Sequence, residues 1–193
     1  LARPRVFDES LVLNQAMNVF WIHGYEATSL KMLLEATGLS KSSFYDSFGS
    51  KHELFLQTFR LYHKNRMDIL NKYLSSVENQ YQGIADFFNS NVDRAADKVA
   101  LSGCLSVNEA IELAPHDEKF RELVEEDFQT VEDAFFEAIR KGKQQGSITS
   151  KDDERVLARF LVVSLHGLHV MAKAESNQQR IIDAISIVLK ALL

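Results

Sequence analysis

From Glu9 onward, apolar side chains recur three and four positions apart along most of the chain, the period of a helix with one buried face. Leu13, Ala16, Met17 and Phe20 form the first such stripe, between a capping Asp8 and a stop at Gly24. A short helix is predicted from about Ser29 to Thr37, ended by Gly38, and another from Lys41 to about Ser47, capped by Ser40 and stopped by Gly49. Ser50-Lys51-His52-Glu53 reads as a capping box opening a long helix with Leu54, Phe55, Thr58, Phe59 and Tyr62 on one side. Residues 82–99 and 103–113 follow as helices, and Pro115 falls in the first turn of the next. There Phe120, Val124, Phe128, Val131, Phe135 and Ala138 trace one stripe, with Glu122, Glu125, Glu126, Glu132 and Asp133 off it and Gly146 as the stop. Ser150 with Asp153 caps a helix to about Ala174, and a last helix runs from Gln178 to Leu192. No segment alternates with a period of two between hairpin turns, so the predicted class is all-α.

Composition agrees. In 193 residues there are 2 prolines and 8 glycines, too few breaks for a many-turned β fold. One cysteine excludes a disulfide framework and a zinc finger built on paired cysteines, and suits a reducing cytoplasm. The longest nearly apolar run, Phe160–Ala172, is short for a bilayer span, and no signal-peptide pattern opens the sequence; a cytoplasmic chain with no membrane partner is expected. The net charge of -5 lies wholly beyond residue 60, because residues 1–60 hold six basic and six acidic side chains. A neutral N-terminal part on an acidic body can still bind DNA through a local patch.

Residues 29–48 carry the most information. Two short helices joined by Gly38-Leu39-Ser40 have the spacing of a helix-turn-helix, and Phe44 and Phe48, one turn apart, would pin the second helix to a core. Lys41, Ser42, Ser43 and Tyr45 then face outward at the end that a recognition helix pushes into the major groove. Lys41 can reach guanine acceptors or phosphate, Tyr45 can donate to phosphate, and Lys51 offers a second phosphate seat. The same spacing also serves an αα-corner in a helical enzyme. A turnover site would need a nucleophile–base pair, a metal cluster or a phosphate loop, and none shows in the sequence. A helical adaptor is the third class that fits an acidic surface.

Gly24-Tyr25-Glu26-Ala27-Thr28-Ser29-Leu30, then Gly38-Leu39-Ser40-Lys41-Ser42-Ser43-Phe44-Tyr45, Phe48, and Ser50-Lys51-His52-Glu53-Leu54 together resemble the DNA-binding domain of the tetracycline-repressor (TetR) family. The resemblance covers about residues 6–60. It implies a helix-turn-helix domain over 1–49, a connecting helix from 50, and a ligand-binding and dimerisation domain over 50–193. It implies a homodimeric regulator, released from a palindromic double-stranded DNA operator by a small-molecule effector. It places Thr28 near a phosphate, Lys41, Ser42 and Ser43 in the groove, and Tyr45 and Lys51 on the backbone. Asp46 stands where many members have histidine; a carboxylate repels phosphate, so no contact is assigned to it. Arg3 and Arg5 would form a minor-groove arm or remain solvated.

In the remaining chain, Phe87, Phe88, Asn91, Cys104, Asn108, Phe128 and Phe135 are the candidates for an effector pocket, though amphipathic helices always supply such a set. Cys104 opens a helix, which favours thiolate, so an electrophile- or redox-sensing regulator is the alternative to a plain pocket cysteine. His166 and His169, three apart, have no acid or sulfur beside them, and neither a metal nor another cofactor is predicted. For a dimer seam, Ile181, Ile185, Val188 and Leu192 follow 4-3-4 spacing, and Leu161 and Leu168 lie on a companion face with Gly167 allowing close approach. A core inside one protomer would show the same pattern.

Overall fold

The computed structural model describes residues 7–75, 77–94, 103–174 and 177–193, and the side chains of all of these except 91–94. The expectations for Arg3, Arg5 and the Asn91 side chain lie outside the described residues. Among those described there are nine helices and no strand. They are α1 (Glu9–His23), α2 (Leu30–Thr37), α3 (Lys41–Phe48), α4 (Lys51–Ser75), α5 (Gln80–Arg94), α6 (Leu105–Glu112), α7 (Glu118–Gln145), α8 (Glu154–Ala174) and α9 (Gln178–Lys190).

The helices begin where a side-chain oxygen meets an orphan N–H. Asp8 accepts from Leu11 N–H at 3.2 Å, Ser29 from Met32 N–H at 3.2 Å and Ser40 from Ser43 N–H at 3.1 Å. Gly38, at φ 68°, closes α2 in the left-handed conformation that a β-carbon would penalise. Three ends differ from the sequence reading. Ser50 accepts from Glu53 N–H at 3.0 Å, but its own N–H goes to Phe48 O and the Glu53 carboxylate faces Lys119, so only half of the capping box forms. Pro115 lies in the turn before α7, whose cap is Asp117, accepting from Phe120 N–H at 2.9 Å. For α8 the cap is Asp153 alone, which accepts from the N–H groups of Arg155 and Val156.

Two apolar clusters hold the helices together. The first joins Phe20 of α1, Leu33 of α2 and Phe44 and Phe48 of α3 to Leu54, Phe55 and Phe59 of α4. It also takes in Cys104, Leu105 and Val107 around α6 and Phe120 and Val124 of α7. Its centre is an aromatic stack, Phe20 on Phe55 at 4.5 Å and Phe55 on Phe120 at 4.8 Å. The second cluster joins the end of α4 to α5, α7, α8 and α9. A division after residue 49 therefore falls at the mouth of a helix whose first turns complete the N-terminal core.

The proposed seam residues are displaced. Leu161, Leu168, Ile181, Ile185, Val188 and Leu192 are all buried within the protomer, in the second cluster, because α8 packs on α7 and α9 along that face. The outward face of α8 is apolar too: Val156, Phe160, Val163, Val170 and Met171 are exposed, Val163 by 71%, and nothing stands within 4 Å of a β-carbon built at Gly167. On α9, Ile182 and Ile187 are likewise exposed. By length and composition α8 could cross a membrane, which the shorter run Phe160–Ala172 concealed; its Leu157, Leu161, Leu165 and Leu168 instead sit in the core.

Candidate nucleic-acid interface

The α2–α3 pair belongs to the first cluster, and α3 is held there by two side chains. Phe44 and Phe48 are buried, so Lys41, Ser42, Tyr45 and Asp46 are exposed. Tyr45, 46% exposed, keeps its ring edge-on to Phe44 at 5.4 Å. Ser43 is half-buried, and its hydroxyl meets that of Ser40 at 2.9 Å, so it serves the helix cap as well as the surface. Ser42 Oγ donates to Asp46 Oδ2 at 3.3 Å.

Thr28 and Lys51 are corrected by the structure. Thr28 is buried, and its hydroxyl donates to Gly24 O at 2.6 Å. Lys51 Nζ donates to Tyr25 O at 2.8 Å and Thr28 O at 2.9 Å, and lies 4.2 Å from the Tyr25 ring centre. The Thr28 hydroxyl therefore closes the α1–α2 loop on itself, while Lys51 staples that loop to α4; both polar groups are spent within the protomer. The Lys51 partners lie 26 and 23 residues away in sequence, out of reach of a local pattern, while Gly24 lies four residues before Thr28.

Behind the motif, α6 touches the N-terminal helices directly. Trp21 Nε1 donates to Gly103 O at 2.9 Å, and Glu112 Oε1 accepts from Glu26 N–H at 2.8 Å. Glu109, one turn before Glu112, is buried with no hydrogen-bond partner for either carboxylate oxygen. Burial, with the nearby charges of Glu112 and Glu26 outweighing Lys173, pushes its carboxyl up to about 8.

A buried polar cluster, which the sequence reading missed, ties α4 to α6, α7 and α8. Arg66 donates to Asp127 Oδ2 at 2.7 Å, to Ser106 Oγ at 3.4 Å and to His166 Nε2 at 3.2 Å, while His63 Nδ1 lies 2.6 Å from Asp127 Oδ1. Burial works against the Asp127 carboxylate, yet the His63 hydrogen bond and the Arg66 charge hold its pKa below the ordinary value. His166 is driven down to about 3 by burial, then by Arg66 and His169, so its imidazole is neutral and accepts from Arg66. One signal was available: Asp127 falls within the apolar stripe of α7, between Val124 and Val131, where a lone carboxylate needs a buried partner.

The described candidate pocket residues other than Asn108 are divided between the two apolar clusters. Phe87, Phe88 and Phe135 pack on one another in the second cluster, and Asn108 accepts from Lys173. Cys104 sits in the first cluster, its Sγ 3.3 Å from the Tyr62 hydroxyl. Phe128 lines a groove of about 440 Å³ between α6, α7 and α8, walled by Ala110, Ala114, Val124 and Val162, with Glu125 and Glu132 among its polar side chains. Among the described residues no three His, Cys, Asp or Glu side chains converge as a metal site, and His166 is taken by Arg66.

A helix-turn-helix with an exposed second helix, on an all-helical body, defines a DNA-binding regulator, and comparison with known proteins agrees. The profile of the tetR family of bacterial regulatory proteins matches residues 12–58, and that of the tetracyclin repressor-like C-terminal domain matches residues 81–188. The chain belongs to the TetR family of transcriptional regulators. It is 33% identical over 193 residues, all of both chains, to the uncharacterized HTH-type transcriptional regulator YezE of Bacillus subtilis (strain 168). It is 27% identical over 188 residues, 94% of this chain and 87% of the other, to the HTH-type transcriptional repressor ComR of Escherichia coli (strain K12). Among solved structures, a cysteine mutant of the TetR family regulator CifR, complexed with 26 bp of double-strand operator DNA, superposes with a TM-score of 0.87. The identity there is 31%, over 99% of this chain and 100% of that one.

Proposed function

We propose that the chain is a cytoplasmic, homodimeric transcriptional repressor that leaves a palindromic operator when a small molecule binds. The observation that carries this reading is the pinning of α3 by Phe44 and Phe48, which leaves Lys41, Ser42 and Tyr45 on an open face. Lys41 and Tyr45 hold the duplex backbone or a guanine edge, and the small Ser42 lets the helix approach closely. Two protomers pair through the outward apolar faces of α8 and α9, around Val163, Gly167 and Ile187, and present two such helices to a two-fold symmetric site.

The effector enters the groove beside Phe128, whose wall includes Ala110 of α6. Movement of α6 there reaches the motif through Glu112 on the Glu26 amide and Gly103 on Trp21. The ligand then favours the protomer arrangement that no longer fits successive major grooves. A second reading is favoured by the Tyr62 hydroxyl against Cys104 Sγ: oxidation or alkylation of that buried thiol would break the contact and displace α6 from α4.

The test is fluorescence-anisotropy titration of a genomic fragment retained by the purified protein, across a salt series. The expected affinity falls steeply with salt and weakens for every sequence alike in Tyr45→Phe. Binding that ignores salt, or that survives replacement of both Lys41 and Tyr45, would refute the groove assignment. Abolition of binding by a thiol reagent in the wild type, with Cys104→Ser resistant, would establish the second reading.

A further inference from the structure

Resting on the DNA-binding reading, we propose that Asp46 reads a base: its carboxylate, oriented by Ser42, selects cytosine at one position of each operator half-site. At about 100° per residue, the side of α3 opposite the midpoint of Phe44 and Phe48 is that of Asp46, and Ser42, one turn earlier, lies within about 40° of it. Asp46 thus projects farthest from the core that anchors the helix, farther than Lys41 or Tyr45 on the flank. Both Ser42 and Asp46 are exposed, and the Ser42 hydroxyl donates to Asp46 Oδ2 at 3.3 Å, which orients the carboxylate along the outermost ridge.

A carboxylate on the face that meets a polyanion is repelled by every phosphate and has no donor to gain there. Donors exist only on base edges. In the major groove guanine shows two acceptors and thymine a carbonyl and a methyl, so each repels or ignores a carboxylate. Adenine shows an amino group beside the N7 acceptor, which would oppose the second carboxylate oxygen. Cytosine shows an amino group beside a C–H, and alone offers a donor without a competing acceptor. Asp46 is the only acidic residue of α3, so the helix carries one such reader per protomer. A two-fold dimer would repeat it symmetrically.

The experiment selects duplexes from a random library with the wild-type protein, then measures affinities for the selected duplex and its single-base variants with wild type, Asp46→Ala and Asp46→Asn. The expected wild-type pattern has cytosine enriched at one position per half-site. Asp46→Ala loses about tenfold of discrimination at that position only, and Asp46→Asn moves the preference there to adenine, which an amide can pair with twice. Uniform tightening of all sequences by Asp46→Ala, with base preference unchanged, would show that the carboxylate only repels the backbone and would overturn the proposal. Unaltered affinity and preference would overturn it too. If the wild type enriches nothing and binds no duplex at low salt, the DNA-binding reading fails first, and that outcome is distinct from either. Far-UV circular dichroism and melting of each variant should match wild type, since position 46 is exposed.

Discussion

Replacing Glu109 by glutamine isolates the energetic consequence of a buried, unpartnered carboxyl at the junction of α6 and the N-terminal helices. Its pKa of about 8 stands against an ordinary 4.5. Between these values the native state keeps a proton that the unfolded chain has released, so native protons exceed unfolded ones and stability falls as pH rises. At 1.36 kcal/mol per unit, the loss between about pH 5 and 8 is roughly 3 kcal/mol. Glu109→Gln keeps the shape and cannot titrate. Urea unfolding followed by the fluorescence of Trp21, whose indole reports on the same junction, would be run for both proteins at one protomer concentration. The difference in stability between variant and wild type should grow by roughly 3 kcal/mol in the variant's favour across that range. His166, held near 3, titrates with the opposite sign but equally in both proteins, so it cancels. A difference that stays constant with pH would mean that water reaches the carboxyl and that burial does not hold its proton.

Val163→Glu places a charge at the centre of the exposed α8 stripe, and sedimentation velocity should show a folded single protomer with sharply reduced affinity for a palindromic duplex; a persisting dimer would locate the seam elsewhere. Arg66→Met leaves Asp127 buried with His63 and Ser106 but without its guanidinium, and should lower stability by about 3–5 kcal/mol in denaturant titration, an effect absent if the cluster is hydrated. Lys51→Met should weaken duplex binding without changing its salt slope, because the amine is spent on Tyr25 O and Thr28 O; a slope smaller by about one would return Lys51 to the phosphate.

Helix ends and the motif were legible because their causes are local: Asp8, Ser29 and Ser40 each cap within three residues, and Gly38 turns the chain by its own conformation. Pro115 and Ser150 misled because a better acceptor, Asp117 or Asp153, follows two or three residues later. The residues with seam spacing on α8 and α9 are buried inside the protomer. Both faces of α8 are apolar, and a 4-3-4 period gives spacing without saying which stripe meets the protomer's own core. For Thr28 the family resemblance, and for Lys51 that resemblance and its charge, point to phosphate, while the backbone carbonyls that occupy Lys51 come from a loop 23 to 26 residues earlier. The Arg66–Asp127 pair spans 61 positions, beyond any local pattern, although a carboxylate within the α7 stripe announced that something opposite must answer it.

A two-fold dimer would set two copies of α3 into successive major grooves. Methylation interference on a selected duplex tests it most directly: guanine N7 methylation should block binding in two symmetric half-sites whose centres lie about 34–36 Å apart along the helix axis. Interference confined to a single unpaired site, or to none while the duplex stays bound, would contradict it.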